Sequence, residues 1–251
     1  MKPISIQLYT VRERAKQDFI GVLKEIAATG YKGVEPAGLH GHQPAEIRKV
    51  LDDLGMVCSS AHAGLATREN VNEIVDTAKA LGYDLVIAGK GPDAFKTAEQ
   101  IQQTAEAFQT AAELLKPHGL RAGYHNHWWE FERVDGRLGY DLFMELAPDV
   151  LSQLDVYWAS DFGTVEVPEV LKQWGARIPS LHLKDGPLVK GEPHTAVGAG
   201  KMDIPAVVAA ADPKVHEWSV VELDECATDM MQAVRDSYRY LTSNKLAAGN
   251  V

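Results

Sequence analysis

Along the chain, short runs rich in apolar and β-branched residues alternate with longer stretches whose apolar positions recur every three or four residues. ISIQLYT (4–10) precedes a helical pattern over 17–29 that stops at Gly30, and YKGVEPAG (31–38) precedes one over 43–54 that stops at Gly55. MVCSSAHAG (56–64) leads into ENVNEIVDTAKALG, and YDLVIAGK (83–90) into a long pattern over 94–116. Glycine, or Pro-His-Gly in the last case, marks each helix end, as expected where the backbone must leave the helix in a left-handed turn. LRAGYHNH (120–127) leads to a helix near 139–147 and LSQLDVYW (151–158) to one near 166–175, while IPSLHLKD (178–185) and WSVVELDE (218–225) precede the last two.

The count is eight βα units in 251 residues, the number and size of a TIM (β/α)8 barrel of the α/β class. No linker divides the chain, so a single domain over 1–251 is expected. A doubly wound open sheet has the same alternation, and counting strands does not show closure. Against it, the first strand lacks a G-x-G-x-x-G turn and no Walker sequence occurs.

Composition narrows the functional classes. With 45% apolar residues the chain can bury one large core. A formal charge of −10 argues against nucleic acid, whose binding rests on basic side chains displacing counterions, and against membrane surfaces. Cys58 and Cys226 stand far apart and outside any C-x-x-C pattern, which indicates neither a disulfide framework nor a cysteine zinc site and fits a reducing cytoplasm. The start, MKPISIQLYTVRERAK, has no basic region followed by a long apolar one, and no run of eighteen apolar residues occurs. A soluble cytoplasmic protein is expected, with no nucleic-acid or membrane partner. A homo-oligomer is left open, since neither the helix surfaces nor the tail LTSNKLAAGNV marks an interface.

Barrel chemistry gathers at the C-terminal ends of the strands. Those ends carry Gln7, Glu35 and His62 on strands one to three, His125 and His127 on five, Asp155 on six, His182 and Lys184 on seven, and Glu222 and Asp224 on eight. Strand four offers little beyond Lys90. The clustering on strands five to eight is the signal, and alternation puts the members of each pair on one face. Imidazoles with two carboxylates suit one divalent ion, Mn2+, Mg2+, Co2+ or Zn2+, with positions left open for substrate oxygens.

Each residue also has a plainer reading. A lone strand-end histidine, such as His62 or His125, is more often a hydrogen-bonded structural residue, but Asp155, His182 and Glu222 on three consecutive strands outweigh that reading together. Glu35 either caps a turn or holds an arginine, or it supports or contacts substrate. Lys184 either pairs with Asp185 or faces the interior beside His182 for substrate binding or catalysis. Asp224 is expected to orient a ligand or a substrate hydroxyl. Trp128, Trp129 and Trp158 lie at or past strand ends, where the broad face of one of them would meet substrate, whereas Trp174 and Trp218 suit core packing. VGAGKMD is weak as a phosphate cradle and is expected to serve as a mobile lid.

LDVYWASDFG, RIPSLHLKDG, VGAGKMD and VVELDE, in that order and with the YHNH-x-x-EF fifth strand, resemble the xylose isomerase-like superfamily of sugar (phosphate) isomerases and epimerases over essentially the whole chain. The resemblance implies one divalent metal held by Glu, Asp, His and Glu at the ends of strands five to eight. Asp155, His182 and Glu222 match the last three. The usual Leu-Glu-Asn-His of strand five lines up with Tyr124 to His127, which puts His125 at the metal-binding glutamate, with His127 or a water as rivals. Glu130 could bend back to replace the carboxylate, but strand parity and distance favour His125.

Many such isomerases use the strand-five and strand-eight glutamates as an acid/base pair, and here one partner is missing. Glu222, Lys184 or a histidine such as His127 would then move the proton next to a carbonyl. The resemblance therefore implies a metal-dependent isomerase or epimerase of a small sugar or keto-sugar. A keto-sugar hydratase or lyase and a non-catalytic sugar-binding barrel are the alternatives. The DNA-repair branch of the superfamily is disfavoured, because Trp158 stands where it has a histidine and AGKMDIP lacks its Asp-x-His.

Overall fold

A computed structural model of the chain describes residues 1–250. Its main strands are β1 (Lys2–Gln7), β2 (Gly33–Glu35), β3 in two pieces (Val57–Cys58 and Ala61–His62), β4 (Leu85–Ala88), β5 (Arg121–His125), β6 (Leu151–Asp155), β7 (Ser180–Leu183) and β8 (Trp218–Val221). All neighbours are parallel, and β8 returns to β1 with Ile4 opposite Ser219 and Ile6 opposite Val221. The first piece of β3 pairs with β2 and the second with β4, so Ser59 and Ser60 carry the chain across the one break in the ring. A doubly wound sheet would end in two different strands far apart, whereas here the two ends of the path are pieces of one strand, Val57–Cys58 and Ala61–His62, so the barrel is nearly closed.

Each strand is followed by a helix: α1 (Phe19–Thr29), α2 (Pro44–Asp53), α3 (Val71–Leu81), α4 (Ala98–Leu115), α5 (Gly139–Leu146), α6 (Val167–Trp174), α7 (Ile204–Ala210) and α8 (Met230–Ser243). Asp18, Asp203 and Asp229 accept backbone N–H groups in the first turns of α1, α7 and α8. Left-handed Gly30 and Gly82 end α1 and α3. The pattern expected from 94 instead divides at Thr97, which caps α4, because Pro92–Phe95 forms its own tight turn. Strands are also shorter than the apolar runs suggest, and a small hairpin, Arg133–Val134 with Arg137–Leu138, was not anticipated.

Alternation along the strands separates two layers. On β1, Ile4 and Ile6 join the apolar core. The intervening residues face polar partners: Ser5 Oγ lies 2.8 Å from Ser59 Oγ, and Gln7 Nε2 donates to Glu35 Oε1 at 2.6 Å. Polar groups placed here must find partners inside the protein, because water is excluded. No helix among the described residues is long and apolar enough to cross a membrane.

Candidate metal centre

His125 and Asp155 are the last residues of β5 and β6, His182 lies within β7, and Glu222 follows β8 directly. All four are buried, and atoms able to ligate an ion lie within 4.8 Å of one another. Asp155 ends its strand by capping the next turn: its Oδ1 accepts the Trp158 N–H at 2.9 Å, so Val156–Ala159 is helical where an extended run was expected. Its other oxygen, Oδ2, is buried without a hydrogen-bond partner, although Lys184 Nζ stands 2.9 Å away at an angle unsuited to a hydrogen bond. A buried carboxylate oxygen free of hydrogen bonds, among two imidazoles and a second carboxylate, fits a divalent cation. Mixed nitrogen and oxygen donors suit Zn2+, Mn2+ or Co2+ better than Mg2+.

Glu35 neither caps a turn nor holds an arginine. Fully buried, its Oε1 accepts from Gln7, from His182 Nε2 at 2.8 Å and faces His62 Nε2 at 3.2 Å. Its Oε2 accepts from Gln153 Nε2 at 2.5 Å and from the Ser60 hydroxyl. Burial alone would raise the Glu35 pKa, but the charges of His182 and then His62 hold it well below the usual carboxylate value. In the same way burial opposes the charge on His182, yet Glu222 and Glu35, on its two nitrogens, carry it up to about 10. Burial, reinforced by the His182 charge, pushes His125 well below the ordinary histidine value, so that ring is neutral. Gln153, between these groups, escaped the sequence reading. Its signal was available: it stands two residues before Asp155 and so shares its face of β6.

Lys184 does not pair with Asp185. Its Nζ, fully buried, lies 2.7 Å from Asp224 Oδ2, 2.9 Å from Asp155 Oδ2 and 3.1 Å from Glu222 Oε2, with the Trp158 ring 5.0 Å away. Burial would lower its pKa, but Asp155, then Asp224 and Glu222, hold it well above the usual lysine value. Glu222 is the counterpart: burial would raise it, whereas Lys184 and then His182 keep it well below the usual range. Asp155 is pushed up by burial, which the Lys184 charge offsets only in part.

Asp185 has a different task. Its carboxylate accepts the N–H groups of Gly186, Gly198, Gly200 and Met202 at 2.8–3.1 Å. A Cβ at Gly200 would run into that carboxylate, and Gly198 has φ +89°. The glycines of VGAGKMD therefore cradle the protein's own anion. The expected mobile lid is a tethered loop.

Above the centre opens a cavity of about 560 Å³, within the range of small-molecule sites. His62, His125, His127, Trp129, Glu222 and Asp224 are among the residues lining it, together with Tyr9 and Gly89 to Gly91. The His127 ring stacks on Trp129 with centroids 4.2 Å apart, and Trp129 Nε1 donates to the Lys90 carbonyl. Trp128 is not part of this lining; Lys190 Nζ lies 3.4 Å from its ring centre. Trp158, half-buried, covers Lys184. Glu130 does fold back, but onto Tyr124 Oη at 2.6 Å and the His127 N–H at 2.9 Å, outside the four-residue cluster.

The chain is similar to several known proteins. Inosose dehydratase of Klebsiella pneumoniae is 24% identical over 197 residues, 68% of this chain; the match spans 65% of the length of that protein, just under two thirds. A crystal structure described as a sugar phosphate isomerase/epimerase, from Parabacteroides distasonis, superposes with TM-score 0.79 at 24% identity, covering 98% of this chain and 96% of the other. The IOLI protein with a bound zinc atom superposes with TM-score 0.73 at 17% identity, covering 97% and 98%. The family model for the xylose isomerase-like TIM barrel matches residues 23–243, and the chain belongs to that family.

Proposed function

We propose that the protein is a divalent-metal-dependent sugar isomerase or epimerase, moving a proton at the carbon next to the carbonyl of a small sugar or keto-sugar. The observation that carries this reading is the buried set of His125, Asp155, His182 and Glu222 at the base of a sugar-sized cavity, with a lysine ammonium beside it. These four residues would hold the ion, which when bound would polarise the substrate carbonyl and ease removal of the neighbouring proton.

The remaining work falls to the chain itself. Glu222, kept ionised by the Lys184 ammonium, accepts the proton, and Lys184 donates to the oxygen that gains charge. Asp224 steadies Lys184 from the other side. His127, at the cavity wall and one third exposed, relays protons to solvent, and Trp129 offers a flat apolar face to a sugar ring. Glu35 supports the centre from below, His62 stands at the cavity wall, and Trp158 closes over Lys184.

One observation favours a second reading, dehydration of a keto-sugar or keto-polyol. With His125 in place of a strand-five glutamate, the centre pairs one carboxylate base with one ammonium acid. That suffices for loss of water: the proton leaves carbon to Glu222, a carbon–carbon double bond forms, and the departing hydroxide takes a proton from Lys184. The relationship to inosose dehydratase supports this reading.

Incubation of metal-loaded protein with keto-sugars in deuterated water, followed by NMR, separates the possibilities. Deuterium entering next to the carbonyl without loss of water supports isomerisation or epimerisation, and loss of water supports the dehydratase. A protein that binds sugar but no metal, and turns nothing over, is the non-catalytic barrel.

A further inference from the structure

Gln153 lies on β6 beneath the metal centre and is fully buried. Its amide nitrogen is 2.5 Å from Glu35 Oε2 and 3.3 Å from Ser180 Oγ, and its amide oxygen is 2.8 Å from His62 Nε2 and 3.1 Å from His125 Nδ1. The orientation of the amide follows from chemistry. An ionised glutamate can only accept, so the NH2 group must face Glu35 and the carbonyl oxygen must face the two rings. That oxygen in turn only accepts, which requires a proton on His62 Nε2 and on His125 Nδ1.

We infer that Gln153 is a positioning residue that fixes His125 as the Nδ1–H tautomer, so that the Nε2 lone pair is the atom His125 offers to a metal ion or a proton. A free neutral imidazole favours its proton on Nε2, so the arrangement is imposed by the protein. Glu35 acts oppositely on His182: its bond uses Nε2 and leaves Nδ1 towards Glu222. The two histidines thus present different nitrogens to one centre, and each is set by a different buried residue on the floor beneath it.

The inference rests on the proposed metal centre only for its second readout. In metal-free protein labelled with ¹⁵N-histidine, two-bond ¹H–¹⁵N spectra, with the His125 signals assigned through His125→Gln, are expected to show protonated Nδ1 and unprotonated Nε2. Gln153→Met keeps the bulk of the side chain but removes the acceptor; His125 is expected to shift towards the Nε2–H form, and titration calorimetry with Zn2+ to show binding weakened at least tenfold. An Nε2–H tautomer in the unaltered protein overturns the inference, and this arm needs no variant to fold. So does an unchanged tautomer in folded Gln153→Met. Failure of the unaltered protein to bind Zn2+ overturns the metal reading alone, leaving the tautomer result to stand or fall separately.

Discussion

Glu35 Oε1 lies 2.8 Å from His182 Nε2, so a glutamate on β2 decides which nitrogen of a histidine on β7 remains for a metal. Carboxylate partners of this kind orient the ring and raise its basicity. Glu35→Gln retains shape but removes the charge, and metal affinity is expected to fall on the order of 10–100-fold. Calorimetry reads this directly, and circular dichroism shows whether the fold is kept.

Asp155 Oδ2 has no hydrogen-bond partner among the described residues, and a divalent ion would coordinate it. Thermal denaturation with a divalent ion at about 100 times its dissociation constant should show stabilisation of about 2.7 kcal/mol. Asp155→Ala should abolish both that gain and stoichiometric metal in elemental analysis. An equal gain in the variant would place the ion elsewhere.

Lys184 is paired with three carboxylates at once. Removing one partner from a buried charged cluster typically costs about 3–5 kcal/mol. Lys184→Met is expected to lose about that much stability without metal and to recover much of it when a divalent ion takes over the neutralisation. Turnover is expected to fall by about 10²–10⁴, the contribution typical of a general acid, with metal binding retained. A parallel loss of metal and activity would reduce Lys184 to a structural role.

Asp185 carries four backbone N–H bonds from its own turn and the following loop. Asp185→Ala leaves those donors without their charge, with an expected cost of about 3 kcal/mol. Amide hydrogen exchange at Gly198, Gly200 and Met202 should speed up well before global unfolding. If exchange there is unaffected, the loop is held by other contacts.

At the opposite end of β8, His216 is buried and its Nε2 donates to the Trp218 carbonyl. Burial pushes its pKa down from 6.5 to about 4. The unfolded chain therefore binds this proton first as pH falls. The stability contributed by the neutral ring is fully present above pH 6.5 and is lost progressively down to about pH 4. The loss amounts to at most about 3 kcal/mol. Denaturant unfolding across this range should show a shallower pH slope in His216→Gln.

The fold was legible because its signals are local. Strand length, helix period, Asp caps and glycine stops are set within a few residues of one another, and Gly30 and Gly82 end their helices where the pattern placed them. Those signals counted eight units but could not close the ring, since closure depends on β8 meeting β1 across the whole chain. They also overextended the strand at Asp155, because an aspartate that caps a turn reads like any other residue at the end of a strand.

Residue types and strand position by themselves brought His125 or His127 together with Asp155, His182 and Glu222, because every parallel strand of a barrel delivers its C-terminal end to the same face; the fold gathers His125 with the other three. Tertiary structure alone decided what each charge does there. Lys184 turned from its chain neighbour Asp185 to carboxylates on β6 and beyond β8, Asp185 took the glycine loop, and Glu35 and Gln153 became the floor that orients the histidines. The physical reason is that a buried polar group must satisfy itself with whichever partners surround it in space, and in a closed barrel those partners come from strands far apart in sequence.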